Sequence, residues 1–435
     1  MEFDVSRFEE YREGNRLEAK KANIASTYGD YASMLLDTTK PLNSQYFSET
    51  ETWADYFEEN ALNQLKQMTV LNEMAKKEGW TLSAEQSAEI EANLDQLKTE
   101  AVSQGYSDYK SYLRAMYGKG MTEERLRSLL RQSFNATYYS QELVQRWRDA
   151  ATDQEKLDYY EGVKGTYNLI TYMHYFVDGS PDDEQGIDSE TAMLAAKNTA
   201  DEIAATVDQL TFAEAVRMLA PEEERADYAD DDACLTRNAA PGNIDTNYRS
   251  WLTDTSRSFG ETTVVAASSG YDVVMFLESN NNDYKVVNYR GIVIPVSTDE
   301  NGKVTDSTMQ EARETVDAVM EAFNADPTEE NFASLANQYN GSSSNGGLQE
   351  NVTMGTLASY DLEQYLFDEA VRQPGDVYSF YNNNNYYIAY FVSYGEQYNL
   401  RIAENLLAEE QYNGMMEAAE ADYPVKRLFA FRFTK

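Results

Sequence analysis

Histidine is almost missing from this chain: His174 is the only one in 435 residues. Cysteine is as scarce, with Cys234 alone. One cysteine excludes an intramolecular disulfide and any cysteine-based zinc site. One histidine excludes HExxH and every other multi-histidine metal centre. Basic residues are few: 36 Lys and Arg stand against 75 Asp and Glu, for a formal net charge of −39. Phosphate backbones and anionic lipids recruit clustered cations, so the composition argues against nucleic acid and against an anionic membrane surface as partners. No apolar run approaches the ~20 residues of a membrane span. The opening MEFDVSRFEEYREGN lacks the hydrophobic region of a signal peptide, so a targeting segment or anchor, if there is one, is expected upstream of Met1. There is no GxxxxGK or GxGxxG to cradle a phosphate. The acidic run EEERADYADDD, Glu222 to Asp232, lacks the DxDxDG spacing of a calcium loop and reads as solvated. No cofactor and no metal are expected.

What is present organises the chain. The apolar fraction of 42% supports real cores, and this length suggests two to four domains at ~100–200 residues each. Residues 1–160 carry helical periodicity. Ala61, Leu65, Met68, Leu71 and Ala75 share one face, and Gly79 ends that helix. SAEQ at Ser83–Gln86 and TDQE at Thr152–Glu155 have the spacing of capping boxes, in which hydroxyl and N3 side chain satisfy free backbone N–H groups reciprocally. Ile90, Leu94, Leu97 and Ala101 mark a second helix. Tyr112, Leu113 and Met116 mark a third, and Leu126, Phe134 and Tyr138 a fourth. The 33 tyrosines read either as core or as lining for an apolar peptide crevice.

Beyond residue 160 one segment occurs twice. YNLITYMHYFVD matches YKVVNYRGIVIP, LTFAEAVRML matches ENFASLANQY, SWLTDTSRSFGETTVV matches QYLFDEAVRQPGDVYS, and SGYDVVMFLES matches NNYYIAYFVSYGE. The offset stays at about 114–120 positions, which marks an internal duplication. Each copy reads β–α–α–turn–α–β. The Asn run at 280–282 joins the copies, and that at 382–385 is a hairpin-like tip. From about 397 the pattern returns to helix through Ile402, Leu406 and Met415 until Pro424. That stretch is too short to fold alone and is expected to pack on the amino-terminal helices.

These residues resemble the parvulin-type prolyl isomerases, and the whole chain resembles the SurA/PrsA class of extracytoplasmic foldases. The helical runs AKKEGWTLSAEQSAEIEANL, YLRAMYGKGMTEERLRSLLR and TDQEKLDYYEG are similar to the helical chaperone domain of that class. FASLANQYNGSSSNGGL is similar to the segment leading to a Gly-Gly-Asp-Leu turn, RQPGDVYSF to the Pro-Gly-Glu-Val turn, and NNYYIAYF stands where the family has Gly-Tyr-His. The resemblance implies an α+β protein: a discontinuous helical domain, 1–162 completed by 397–435, and two parvulin-like domains, 163–283 and 284–396.

It also implies a site. In the family a first-strand His and a last-strand His meet, joined by a Cys or Asp. Copy one has His174 at the first position and Asp272 at the last, with Cys234 or Asp230 to Asp232 for the third. Copy two has Gly291, Tyr387 and the neighbourhood of Ser342, so the polar set is missing there. Trp251, Tyr365 and Phe367 are the candidates for apolar substrate contact. The implied function is binding of unfolded or newly exported, proline-containing polypeptides outside the cytoplasm. Prolyl isomerisation by copy one is the enzymatic alternative, and a scaffold for one defined surface partner is the third.

Overall fold

The computed structural model describes residues 37–422 except 38, 39, 47, 49, 183–185, 208–210, 300, 301, 342, 343 and 358. Residues 1–36, Ser342 and Pro424 therefore lie outside the described residues. The chain divides into two compact units, 1–151 with 405–435, and 152–404.

The described part of the first unit is helical. Helices α1 (Trp53–Glu78), α2 (Ala84–Ser103), α3 (Tyr109–Tyr117) and α4 (Glu123–Ala150) are joined by short connections. Ser83 and Gln86 cap α2 reciprocally, as the SAEQ spacing predicts, and Gly79 closes α1 in the left-handed region at φ 71°. A cap of this kind stabilises a helix by about 1 kcal/mol. Val70, Leu71 and Ala75 of α1 meet Ala136, Tyr139 and Leu143 of α4, and Met416 from the closing segment completes that cluster. Lys66 pairs with Glu420 at 2.7 Å. A second cluster holds Ile90 and Leu94 of α2 against Tyr112, Leu113 and Leu126. The unit is thus discontinuous in sequence, its last helical stretch sharing a core with α1 and α4.

The second unit opens with α5 (Asp153–Tyr167), capped by Thr152 and Glu155. The first copy follows: β1 (Leu169–Asp178), α6 (Ser189–Thr206), α7 (Phe212–Leu219), β2 (Leu235–Ala239), α8 (Thr246–Leu252), β3 (Thr262–Ala267) and β4 (Gly270–Asn280). The second copy repeats the order: β5 (Lys285–Pro295), α9 (Asp306–Ala325), α10 (Glu329–Asn340), β6 (Leu348–Val352), α11 (Tyr360–Phe367), β7 (Val377–Asn382) and β8 (Asn385–Gln397). Helix α12 (Tyr398–Asp422) ends the described chain. Each copy holds a four-stranded antiparallel sheet, ordered β2-β1-β4-β3 and β6-β5-β8-β7. The sequence pattern predicts only the two long strands of each. The shorter edge strands are five or six residues long and lie inside stretches read as turn and helix.

Alternation along the strands sorts the cores. In copy one Tyr175, Val177, Val273 and Met275 face α6 and α7. Ile170, Tyr172, Val274 and Phe276 face α8. Copy two does the same, with Ile292, Ile294 and Ile388 toward α9 and α10, and Val287, Ala389 and Phe391 toward α11. Full burial of a side chain such as Phe332, 0% exposed, stabilises by about 1.5–3 kcal/mol. The predicted hairpin tip is present: Asn383 and Asn384 have φ of 46° and 59°, which two-residue turns of the primed type require. The other Asn run is a packed joint. Asn282 is fully buried and donates to the Tyr160 hydroxyl at 2.8 Å and to the Tyr167 carbonyl at 2.7 Å. No helix among the described residues is long and apolar enough to cross a membrane.

Candidate functional site

The site begins with the register of β1 on β4. His174 stands opposite Val274, and Phe176 opposite Asp272. His174 and Asp272 are therefore diagonal neighbours on one face, within reach of long side chains. That face is the one α8 covers. The Asp272 carboxylate accepts from His174 Nε2–H at 2.8 Å. The Asp272 side chain is 8% exposed and the His174 side chain 30%, so the pair has a sheltered end and a wet end.

Helix α8 supplies the third member. Asp245 caps it by accepting from Asn247 N at 2.8 Å, and Arg249 ties it down through the Ile244 carbonyl. Tyr248 and Leu252, one helical turn apart, are buried. The Tyr248 ring stacks on the His174 imidazole with centroids 5.2 Å apart and planes at 28°, and meets Tyr172 at 5.9 Å. Burial pushes the Tyr248 hydroxyl pKa up, and Tyr172 and Asp272 add to the shift. It therefore stays a neutral hydrogen-bonding group. Tyr248 is not among the residues that the sequence alone singles out. The available signal was the Tyr248–Leu252 spacing of four just after a capping Asp.

The expected partners part company. Cys234 lies in the cluster with Tyr175, Val177, Ala196 and Val216 on the opposite face of the sheet, so it does not join His174 and Asp272. Burial pushes its thiol up to about 11. It behaves as a small apolar filler, which is why a cysteine at this point of the sequence misleads. Asp230 caps the turn before β2, and Asp232 pairs with Arg237 at 2.6 Å. Trp251 is half-buried in the Tyr248 cluster, with the Arg257 guanidinium 5.0 Å above its ring.

Tyr365 and Phe367 belong to the second copy. Its register repeats that of the first: Gly291 faces Ala389 and Val293 faces Tyr387, where the first copy has His174 facing Val274 and Phe176 facing Asp272. No polar pair can form there. Rings occupy the face instead. Tyr365 stacks on Tyr378 at 4.6 Å, Tyr378 on Phe380 at 5.6 Å, and Phe380 on Tyr387 at 5.0 Å. Arg372 covers the outer face of Tyr365 at 4.0 Å. Phe367 instead packs edge-on against Tyr284 at 5.2 Å. The Gly-Gly turn beside this face is required by space: Gly347 has φ 68°, and a Cβ there would stand 2.2 Å from the Gly291 carbonyl oxygen.

No protein-family model matches the chain, and no curated protein matches it. Among solved structures it is similar to the peptidylprolyl isomerase PrsA from Bacillus anthracis, at 13% identity over 58% of this chain and 88% of that one, with a TM-score of 0.20. PrsA from Bacillus subtilis is 16% identical over 65% and 89%, with a TM-score of 0.18. The peptidylprolyl isomerase PrsA from Bacillus cereus is 12% identical over 74% and 97%, with a TM-score of 0.25. Superposition this loose carries no argument for chemistry or substrate. The α+β layout rests on the helices and the two sheets themselves.

The arrangement has a definite chemical capacity. An imidazole fixed by a carboxylate and a stacked ring is oriented, and one of its nitrogens is committed. Among the described residues no group of three or more His, Cys, Asp or Glu is placed to hold a metal ion. The site can hydrogen-bond and shelter a bound group.

Proposed function

We propose that this chain is a foldase-type polypeptide-binding protein of the SurA/PrsA kind, acting on unfolded clients outside the cytoplasm. The observation that carries this is the pairing of His174 with Asp272 under Tyr248 on the α8 face, repeated in register by an aromatic face under α11. One face has a polar pair at its centre and the other a row of half-buried rings, Tyr365, Tyr378, Phe380 and Tyr387, which suits sequence-tolerant capture of extended chain. Suppression of aggregation of a thermally unfolding client, followed by light scattering, tests it. Suppression at equimolar to several-fold excess is expected. Unchanged scattering at several-fold excess contradicts the reading.

A second reading is favoured by the 2.8 Å His174–Asp272 hydrogen bond: slow prolyl isomerisation by copy one. Amide resonance sets a barrier of ~18–20 kcal/mol to rotation. A site lowers it by stabilising the twisted amide and keeping the proline ring dry. His174, the partly exposed member, would contact the substrate, and Asp272 and Tyr248 would position it. A protease-coupled proline-peptide assay separates the readings. Catalysis lost in His174→Ala supports isomerisation, whereas the uncatalysed rate in wild type leaves binding alone.

A further inference from the structure

Glu363 carries a carboxyl group that is buried without a cation beside it among the described residues. It lies on α11, 7% exposed. Its Oε1 accepts from Asn238 Nδ2 at 2.6 Å, and its Oε2 accepts from the Gly355 N–H at 2.5 Å. Asn238 is in β2 of the first copy, and Gly355 is in the turn after β6 of the second. One carboxylate therefore fastens three chain segments drawn from both copies.

The surroundings are shaped to this contact. Gly355 has φ 78°, and a Cβ on it would stand 2.3 Å from the Asn238 carbonyl oxygen. Asn238 itself is left-handed at φ 49°. The Arg237 guanidinium lies 4.4 Å above the ring of Tyr360, the first residue of α11. Asn280 of the first copy reaches the Met354 sulfur at 3.6 Å. Burying a carboxylate is costly unless strong hydrogen bonds compensate, and replacing it by an apolar residue would be the simpler way to fill the space. A carboxylate at this place makes sense if the contact specifies a geometry.

We infer that Glu363 is a latch that holds the two copies in one fixed relation and, through α11, fixes the aromatic face of the second copy. Tyr365, two residues along the same helix, carries the stack on Tyr378. Releasing Glu363 loosens the contact between the copies and the helix that carries that ring. Any effect on client capture rests on the reading above; the latch itself does not.

The test uses the full chain with Cys234→Ala and spin labels at two exposed sites, Lys197→Cys in the first copy and Gln310→Cys in the second. The latched protein gives one narrow distance distribution. Glu363→Ala broadens it at least about twofold. The same change raises amide exchange at Asn238 and Gly355 by about tenfold or more, while the Val274 and Ile388 amides move less than about twofold. Should Glu363→Ala not fold, Glu363→Gln keeps the volume and loses one acceptor, and at least about threefold faster exchange at Gly355 is expected. An unchanged distance width with unchanged exchange overturns the latch. So does equal loss of protection at Val274 and Ile388, which marks a residue that supports the fold as a whole.

Discussion

His174 and Asp272 do not face each other across β1 and β4; they are diagonal, one pair of residues apart, and joined by a 2.8 Å hydrogen bond. The diagonal matters. It lets the imidazole lie under Tyr248 while the carboxylate stays sheltered. Removing His174 leaves a buried acceptor without its donor, at a cost of about 1–3 kcal/mol. His174→Ala should therefore lower the urea midpoint of the second unit, and His174→Gln, which can still donate, should lower it less. Circular dichroism through the urea transition is the check. Equal midpoints for all three proteins would mean that the pair adds nothing to stability.

Because the second copy keeps the register, its missing pair can be built. A Cβ added at Gly291 would touch the Tyr289 ring at 3.4 Å and otherwise enter open space. Gly291→His with Tyr387→Asp should give a second imidazole hydrogen-bonded as His174 is. With one natural histidine, the imidazole region of a 15N NMR spectrum is unambiguous: two rings of matching tautomer are expected. A new ring with the free-histidine pattern would show that the two faces differ in more than these two residues.

Asp254 accepts from Ser256 N at 2.9 Å and from Arg257 at 3.1 Å, and these hydrogen bonds, backbone first, hold its carboxyl down to about 2. A folded pKa below the ordinary 3.8 contributes stability above about pH 4 that fades as the pH falls toward 2. Asp254→Asn should lower the melting temperature by a constant amount above pH 5, with the gap closing toward pH 2. A gap independent of pH would rule out this linkage.

Cys234, with its thiol raised to about 11 by burial, should resist alkylation. At pH 8 about one thiol in a thousand is ionised at that pKa. Iodoacetamide labelling, read by mass spectrometry, should be at least about 100-fold slower in the native protein than in urea. Labelling at the free-thiol rate would place Cys234 at an open surface.

The shared core of the first unit gives a further expectation. Met416, 5% exposed, packs among Val70, Leu71, Ala136 and Tyr139. Met416→Ala should destabilise that unit by about 2–5 kcal/mol, seen as earlier loss of amide protection in α1 and α4. Unaltered protection would separate the closing helical segment from the first unit's stability.

Legibility followed the strength of local rules. Helices with capping boxes at Ser83 and Thr152, the Gly79 stop and the Asn383–Asn384 turn could be read from sequence because a few residues decide each of them. The resemblance placed His174 with Asp272 and, in the second copy, Gly291 with Tyr387, and the strand registers of both copies bring those positions together. The edge strands could not be separated from turns, since five residues such as Leu235–Ala239 carry too little periodicity. Cys234 ends the short helical turn Asp231–Cys234 just before β2, where no strand alternation fixes the side, and it packs on the other sheet face. Tyr248 and Glu363 were invisible for another reason: Tyr248 acts on His174 and Glu363 on Asn238, both more than seventy positions away, and no spacing records those contacts.

The most direct test of the account is titration of the 15N-labelled protein with a short unstructured proline-containing peptide. The single imidazole of His174 and the indole of Trp251, the one tryptophan of the second unit, report on the α8 face. The account predicts that both signals shift together and saturate, and that His174→Ala weakens the shift of Trp251. Saturating changes elsewhere, with both of these signals still, would contradict it.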